Sequence, residues 1–158
     1  MTYQIADEPI DTQLGSYVVH PSAPLLAIML AGAWLSWPWF AFTAIAMGSP
    51  TRRREIALCA AAFAGTGALA AIAIALIQRG VIPDGAPIRL TVLAIVTFKL
   101  GMTYYISIVQ DRTFHVYEYY GGTVRDARRV LAAGWLLRGL VVGLSDHPLW
   151  IIIVAGGW

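Results

Sequence analysis

The sequence predicts an all-α integral membrane protein, a bundle of four transmembrane helices, and three observations predict it. Apolar residues make up 58% of the 158-residue chain and charged residues 13%, whereas a soluble domain carries about 45–50% and about 25%. The excess is gathered into stretches nearly free of charge and long enough to cross a bilayer. The arginines cluster in two of the connections between those stretches, the pattern that orients membrane chains. A formal charge of +2 is too small for a nucleic-acid partner. The single cysteine, Cys59, sits in an apolar run and has no second thiol with which to pair.

Residues 1–24 read as a short acidic external tail. They hold Asp7, Glu8 and Asp11 and no Lys or Arg, so they lack the basic start of a cleavable signal. Pro21 and Pro24 separate the tail from the transmembrane domain, residues 25–158. The first span is expected at about 25–47, the second at 55–77 and the third at 88–109. Each has 22 or 23 residues, which at 1.5 Å per residue covers roughly 30–35 Å. The last stretch, 130–154, reads in two ways. It is one bent span, or it is a span ending at Leu144, a break at Ser145–Pro148 and a second short helix. Ser145 and Asp146 suit a helix N-cap and Pro148 a first helical turn.

Connection charges set the expected orientation. Arg52, Arg53 and Arg54 follow the first span, and Arg112, Arg125, Arg128 and Arg129 lie in loop 110–129. The connection between the second and third spans holds only Arg79 and Arg89. The first and third connections are therefore expected in the cytoplasm of a bacterial inner membrane, with both termini outside.

In lipid, close backbone approach and polar contacts hold helices together. The second span sets small residues four apart, with Ala60, Ala64 and Ala68 in one row and Gly67, Ala71 and Ala75 in another. The fourth carries Gly139 and Gly143, a GxxxG pair. These rows serve packing within the bundle or association between chains. The first span carries Pro38, which removes an amide donor and predicts a bend among Trp34, Trp37 and Trp39. The tryptophans either fill that kink against the small-residue span or form an aromatic wall for an apolar ligand or lipid tail.

Two cations fall deep in the apolar runs. Lys99 lies ten residues from Arg89 and Arg138 nine from Arg129, about 15 and 13 Å along a helix. A charge at the bilayer centre costs on the order of 3 kcal/mol by insertion scales, so each needs a compensating contact. Lys99, Thr103 and Ser107 share one helical face, and Gln110 and Asp111 continue it. That seam is expected to face the bundle interior. The first three spans hold no acid in their interior. The candidate contacts are headgroups or carbonyls, a carboxylate on a partner, or an anion in a hydrated pocket; Lys99 alone can also give up its proton.

Loop 110–129 collects His115, Tyr117, Glu118, Tyr119, Tyr120, Arg125, Arg128 and Arg129. The third helix is expected to continue beyond the membrane until Gly121–Gly122 end it. His115 and Glu118 then share a face, but two ligands fall short of the three or four a metal takes, so no metal is expected. The arginines suit anionic lipid headgroups, and the tyrosines with them suit a protein contact. Asp146 and His147 mark the outer break, where an interrupted helix exposes polar backbone. No P-loop, HExxH, GxSxG or CxxC motif is present, and His20, His115 and His147 all fall outside the spans. No enzyme activity and no cofactor are expected. The leading expectation is a non-catalytic subunit or assembly partner of a larger membrane complex, or a self-associating one. The alternative is a small homo-oligomeric transporter or channel for an anionic or amphipathic solute.

Overall fold

The structure, a computed structural model, describes residues 13–155. The acidic part of the tail, Asp7 to Asp11, lies outside the described residues. Those described form one 3₁₀ turn and six helices, with no strand among them.

Two helices make the frame. Helices α3 (Arg52–Gln78) and α4 (Ala86–Tyr119) have 27 and 34 residues, about 40 and 51 Å. Both are long and apolar enough to cross a membrane. They run antiparallel, as Glu55 meets Gln110 near one end and Ala70 and Ala73 meet Ile95 near the other. A Cβ on Gly65 would come within 2.9 Å of the Phe98 ring, so glycine there permits the close approach. The inward stripe of α3 is Glu55, Cys59, Ala62, Thr66, Ala70 and Ala73, spaced three and four apart. It is neither of the two small-residue rows read from the sequence. Ala60, Ala64, Ala68, Ala71 and Ala75 are exposed, and Gly67 is half-buried against Ile153. Almost every row of this helix is small, so size could not select the inward one.

Helix α4 ends as expected. Gly121, at φ 84°, donates to the Glu118 carbonyl and Gly122 to the Tyr117 carbonyl. This paired closure needs a left-handed residue at its turn, where glycine has no Cβ to clash.

The segment expected as one span over 25–47 is divided. Helices α1 (Ser22–Leu30) and α2 (Ala33–Ala46) are about 13 and 21 Å long, each short of a roughly 30 Å core. The break falls at Gly32, φ 110°, and not at Pro38, through which α2 runs on as helix. The two helices fold back as a hairpin. Ser36 Oγ donates to the Pro24 carbonyl at 2.7 Å, and Val18, before α1, is buried with Ala46 and Met47, at the end of α2, and with Phe114. Both ends of the hairpin therefore lie at one end of the bundle. The 3₁₀ turn Gly15–Tyr17 lies there too, since Tyr117 Oη donates to the Gly15 carbonyl at 3.0 Å and the Arg125 amide to that of Val18 at 2.8 Å. The described part of the tail thus shares an end with the Arg-rich loop 110–129.

The last segment follows the broken reading. Helix α5 (Arg128–Val142) is separated from α6 (Pro148–Val154) by residues 143–147. The cap of α6 is His147 rather than Ser145 or Asp146: its Nδ1 accepts from the Leu149 amide at 3.2 Å. Ser145 Oγ accepts the His147 amide at 3.2 Å, and Asp146 is exposed. Leu149 and Ile152 pack on Ala70, Ala73 and Ile95, and Ile153 reaches Gly67. Helix α6 therefore turns back along α3 and brings Ala155 beside Lys99, midway along α4.

Candidate functional site

The polar seam of α4 faces inward. Lys99, Thr103, Ser107 and Gln110 are all buried, while Asp111 is partly exposed. Lys99 is 3% exposed, and its ammonium has found acceptors in its own chain. Nζ donates to the carbonyls of Ile152 at 2.9 Å and Ile153 at 3.1 Å, and to that of Ala155. These carbonyls belong to the last turn of α6 and to Ala155, the residue that follows it, where helical geometry leaves oxygens without an amide partner. An ammonium has three protons to give, so the lysine closes the helix end and is itself satisfied. The sequence offered no interior carboxylate for it, and none is needed. What compensates the charge is backbone, which composition cannot reveal.

One turn along, Thr103 Oγ1 donates to the Lys99 carbonyl at 2.7 Å and accepts Trp37 Nε1 at 3.0 Å. Trp37 is buried against Cys59 and Ala62, with its ring edge-on to Phe63 at 5.9 Å. It fills the space beside the small stripe of α3, as the packing reading expects. Trp39 points to the other face of α2, among Val19, Ala23 and Ala27. Trp34 Nε1 donates to the Ala31 carbonyl, beside the hairpin turn. Arg138 is half-buried on α5.

A second polar cluster was not singled out from the sequence. Glu55, 1% exposed, accepts from Ser49 Oγ at 2.6 Å, Thr51 Oγ1 at 2.7 Å and Gln110 Nε2 at 3.0 Å. Gln110 Nε2 also donates to the Phe40 carbonyl at 3.0 Å. Four hydrogen bonds thus tie the α2–α3 connection and both flanking helices to α4. The signal available was "SPTRRRE", hydroxyls just before a helix and an acid in its first turn, close to a capping box. Burial of Glu55 depends on Gln110, 55 residues away. Among the described residues, Thr43 Oγ1, Thr66 Oγ1 and Gln110 Oε1 are buried without a hydrogen-bond partner.

Loop 110–129 divides by role. Tyr117 and Arg125 bind the N-terminal segment, and Arg125 also sits over the Tyr17 ring at 5.2 Å. Arg125 and Arg129 line a cavity with Trp39. His115 pairs with Asp111 at 3.5 Å and Glu118 at 3.8 Å on an open face. Tyr119 and Tyr120 stand outward, their rings edge-to-face at 5.7 Å. Arg128 lies 3.8 Å from Asp126 in solvent. On α5, Gly134 meets Ala31 and Leu35, whereas Gly139 has nothing near its Cβ position and Gly143 meets only its own helix.

No protein-family profile, curated protein or solved structure matches this chain.

Proposed function

We propose that this chain is a non-catalytic helical subunit of a membrane assembly, and that α5 is its contact helix. The observation that carries this reading is how little of α5 its own chain covers. Gly134 is the one fully buried residue of that helix, while Trp135, Leu136, Leu137 and Leu140 are 45–70% exposed. Gly139 opens onto empty space in the midst of them. Small residues flanked by large apolar ones form a surface onto which another helix can close. The interior polar groups support the same reading from the other side. Lys99 and Glu55 are spent on holding elements together.

In this reading α3 and α4 cross the membrane, the α1–α2 hairpin enters and leaves at the Arg-rich end, α5, about 22 Å long, reaches into the core from that same end, and α6 dips back toward Lys99. The positive-inside rule then puts the Arg-rich end, with residues 13–19, in the cytoplasm of a bacterial inner membrane. The alternative, transport of an anionic solute past Lys99 and Arg138, has weaker support, because the ammonium already has three acceptors.

Gly139→Leu tests the proposal. The site is open, so the fold tolerates the larger side chain, but a partner helix cannot close over it. Wild-type chain extracted in mild detergent is expected to run as an oligomer or with a co-purifying protein, and the variant as a folded monomer. A wild-type monomer without a partner refutes the assignment.

A further inference from the structure

We propose that the groove between α2 and the N-terminal end of α5 binds one anionic phospholipid, with an acyl chain along Leu35, Pro38, Trp39 and Phe42 and the phosphate held by Arg125 and Arg129. The groove has a volume of about 620 Å³, within the roughly 300–1,000 Å³ of sites that hold small molecules. Its wall on α2 is apolar throughout, and Pro38 contributes no amide to it. Trp39 is packed with Val19, Ala23 and Ala27, so the wall exists before a ligand arrives. Phe42 remains 38% exposed on the open side.

The mouth carries two arginines, and one of them is held in place. Arg125 is fixed through its amide to Val18 and its guanidinium over Tyr17. Asp126 also lines the groove, but its carboxylate is engaged by Arg128, accepting that residue's amide at 2.9 Å and lying 3.8 Å from its Nε. Two arginines therefore line the groove against one carboxylate, and that carboxylate is engaged by Arg128. Arg129 and Val130 belong to the first turn of α5, whose amides lack helical acceptors and whose dipole favours an anion. A free phosphate would use only the mouth, and a neutral lipid only the wall. The two together, at the Arg-rich end where anionic headgroups lie, select an acidic amphiphile.

The test uses the full chain, purified in mild detergent and exposed to phosphatidylglycerol or phosphatidylcholine, with retained lipid counted by native mass spectrometry. One phosphatidylglycerol per chain is expected, preferred over phosphatidylcholine by at least about tenfold, as two interfacial arginines would give. The double variant Arg125→Gln, Arg129→Gln should lose that preference. Val130→Trp, placing a ring in the groove, should lose the lipid with both arginines intact; Val130→Phe serves if the larger residue disturbs helicity or elution. Equal retention of the two lipids overturns the proposal, as does wild-type retention by the double variant. Glycerol phosphate displacing the lipid at equal concentration would reduce the site to a phosphate site and also overturn it. Lipid uptake only after deletion of residues 1–12 would make the acidic tail the occupant, again against the proposal.

Discussion

Lys99 settles a conflict that a reading by residue type cannot. A lysine in an apolar helix needs acceptors, and the usual search looks for an aspartate or glutamate. Here the acceptors are carbonyls left over at the end of α6, the cheapest partners in a membrane because they need partners too. The inward direction of the seam was legible from four-residue spacing; the identity of its partner was not, since every residue contributes a carbonyl. Lys99→Met is predicted to leave those oxygens unpaired, at a cost on the order of 1–3 kcal/mol. Thermal unfolding in detergent should fall, and amide exchange over residues 149–155 should quicken ahead of the rest. A variant with the wild-type melt and exchange pattern would remove Lys99 from this role. Glu55 makes the complementary point: it stands at the first residue of the expected second span, and Gln110 turns it into a buried tie.

The elements were legible in proportion to their length. Helices α3 and α4 follow the expected second and third apolar runs, with α4 continuing past residue 109 to its glycine stop. The division of 25–47 was hidden because α1 and α2 are both apolar; hydropathy sums residues and is blind to chain direction. Glycines behave the same way, identical in sequence and opposite in consequence. A Cβ on Gly134 would lie 2.3 Å from Leu35 Cδ2 and 3.2 Å from Ala31 Cβ, whereas at Gly139 it meets nothing within 4 Å. Gly134→Ala is therefore predicted to push α5 off the hairpin and destabilise the chain by about 1–3 kcal/mol. Gly139→Ala should be neutral, or stabilising by up to about 1 kcal/mol through helix propensity. Detergent melts of both variants decide, and equal effects would refute the packing described for α5.

At the scale of the molecule, the hairpin decides which elements share an end of the bundle. Residues 13–19, the start of α3 and the end of α4 share one end, and the α3–α4 connection lies at the other. Single-cysteine labelling with a membrane-impermeant maleimide in intact cells checks this, with buried Cys59 as a quiet background. Asp84→Cys is predicted to label directly. Leu14→Cys and Tyr119→Cys, both exposed, should label only after permeabilisation. Labelling of Leu14→Cys in intact cells with Tyr119→Cys protected would restore a first crossing span and sink the hairpin.

By itself the sequence determined the helical class, the two helices long and apolar enough to cross a membrane and the charged end, because these follow from local sums of apolar length and arginine count. It also fixed which face of α4 turns inward, since helical period alone sets that. The tertiary structure decided the rest: that the first apolar run folds back, that α6 returns to Lys99, that Glu55 is buried, and which small-residue row packs. Each depends on groups far apart in the chain meeting across a bundle, and on backbone acceptors that every residue carries. No local pattern in the residues encodes such meetings.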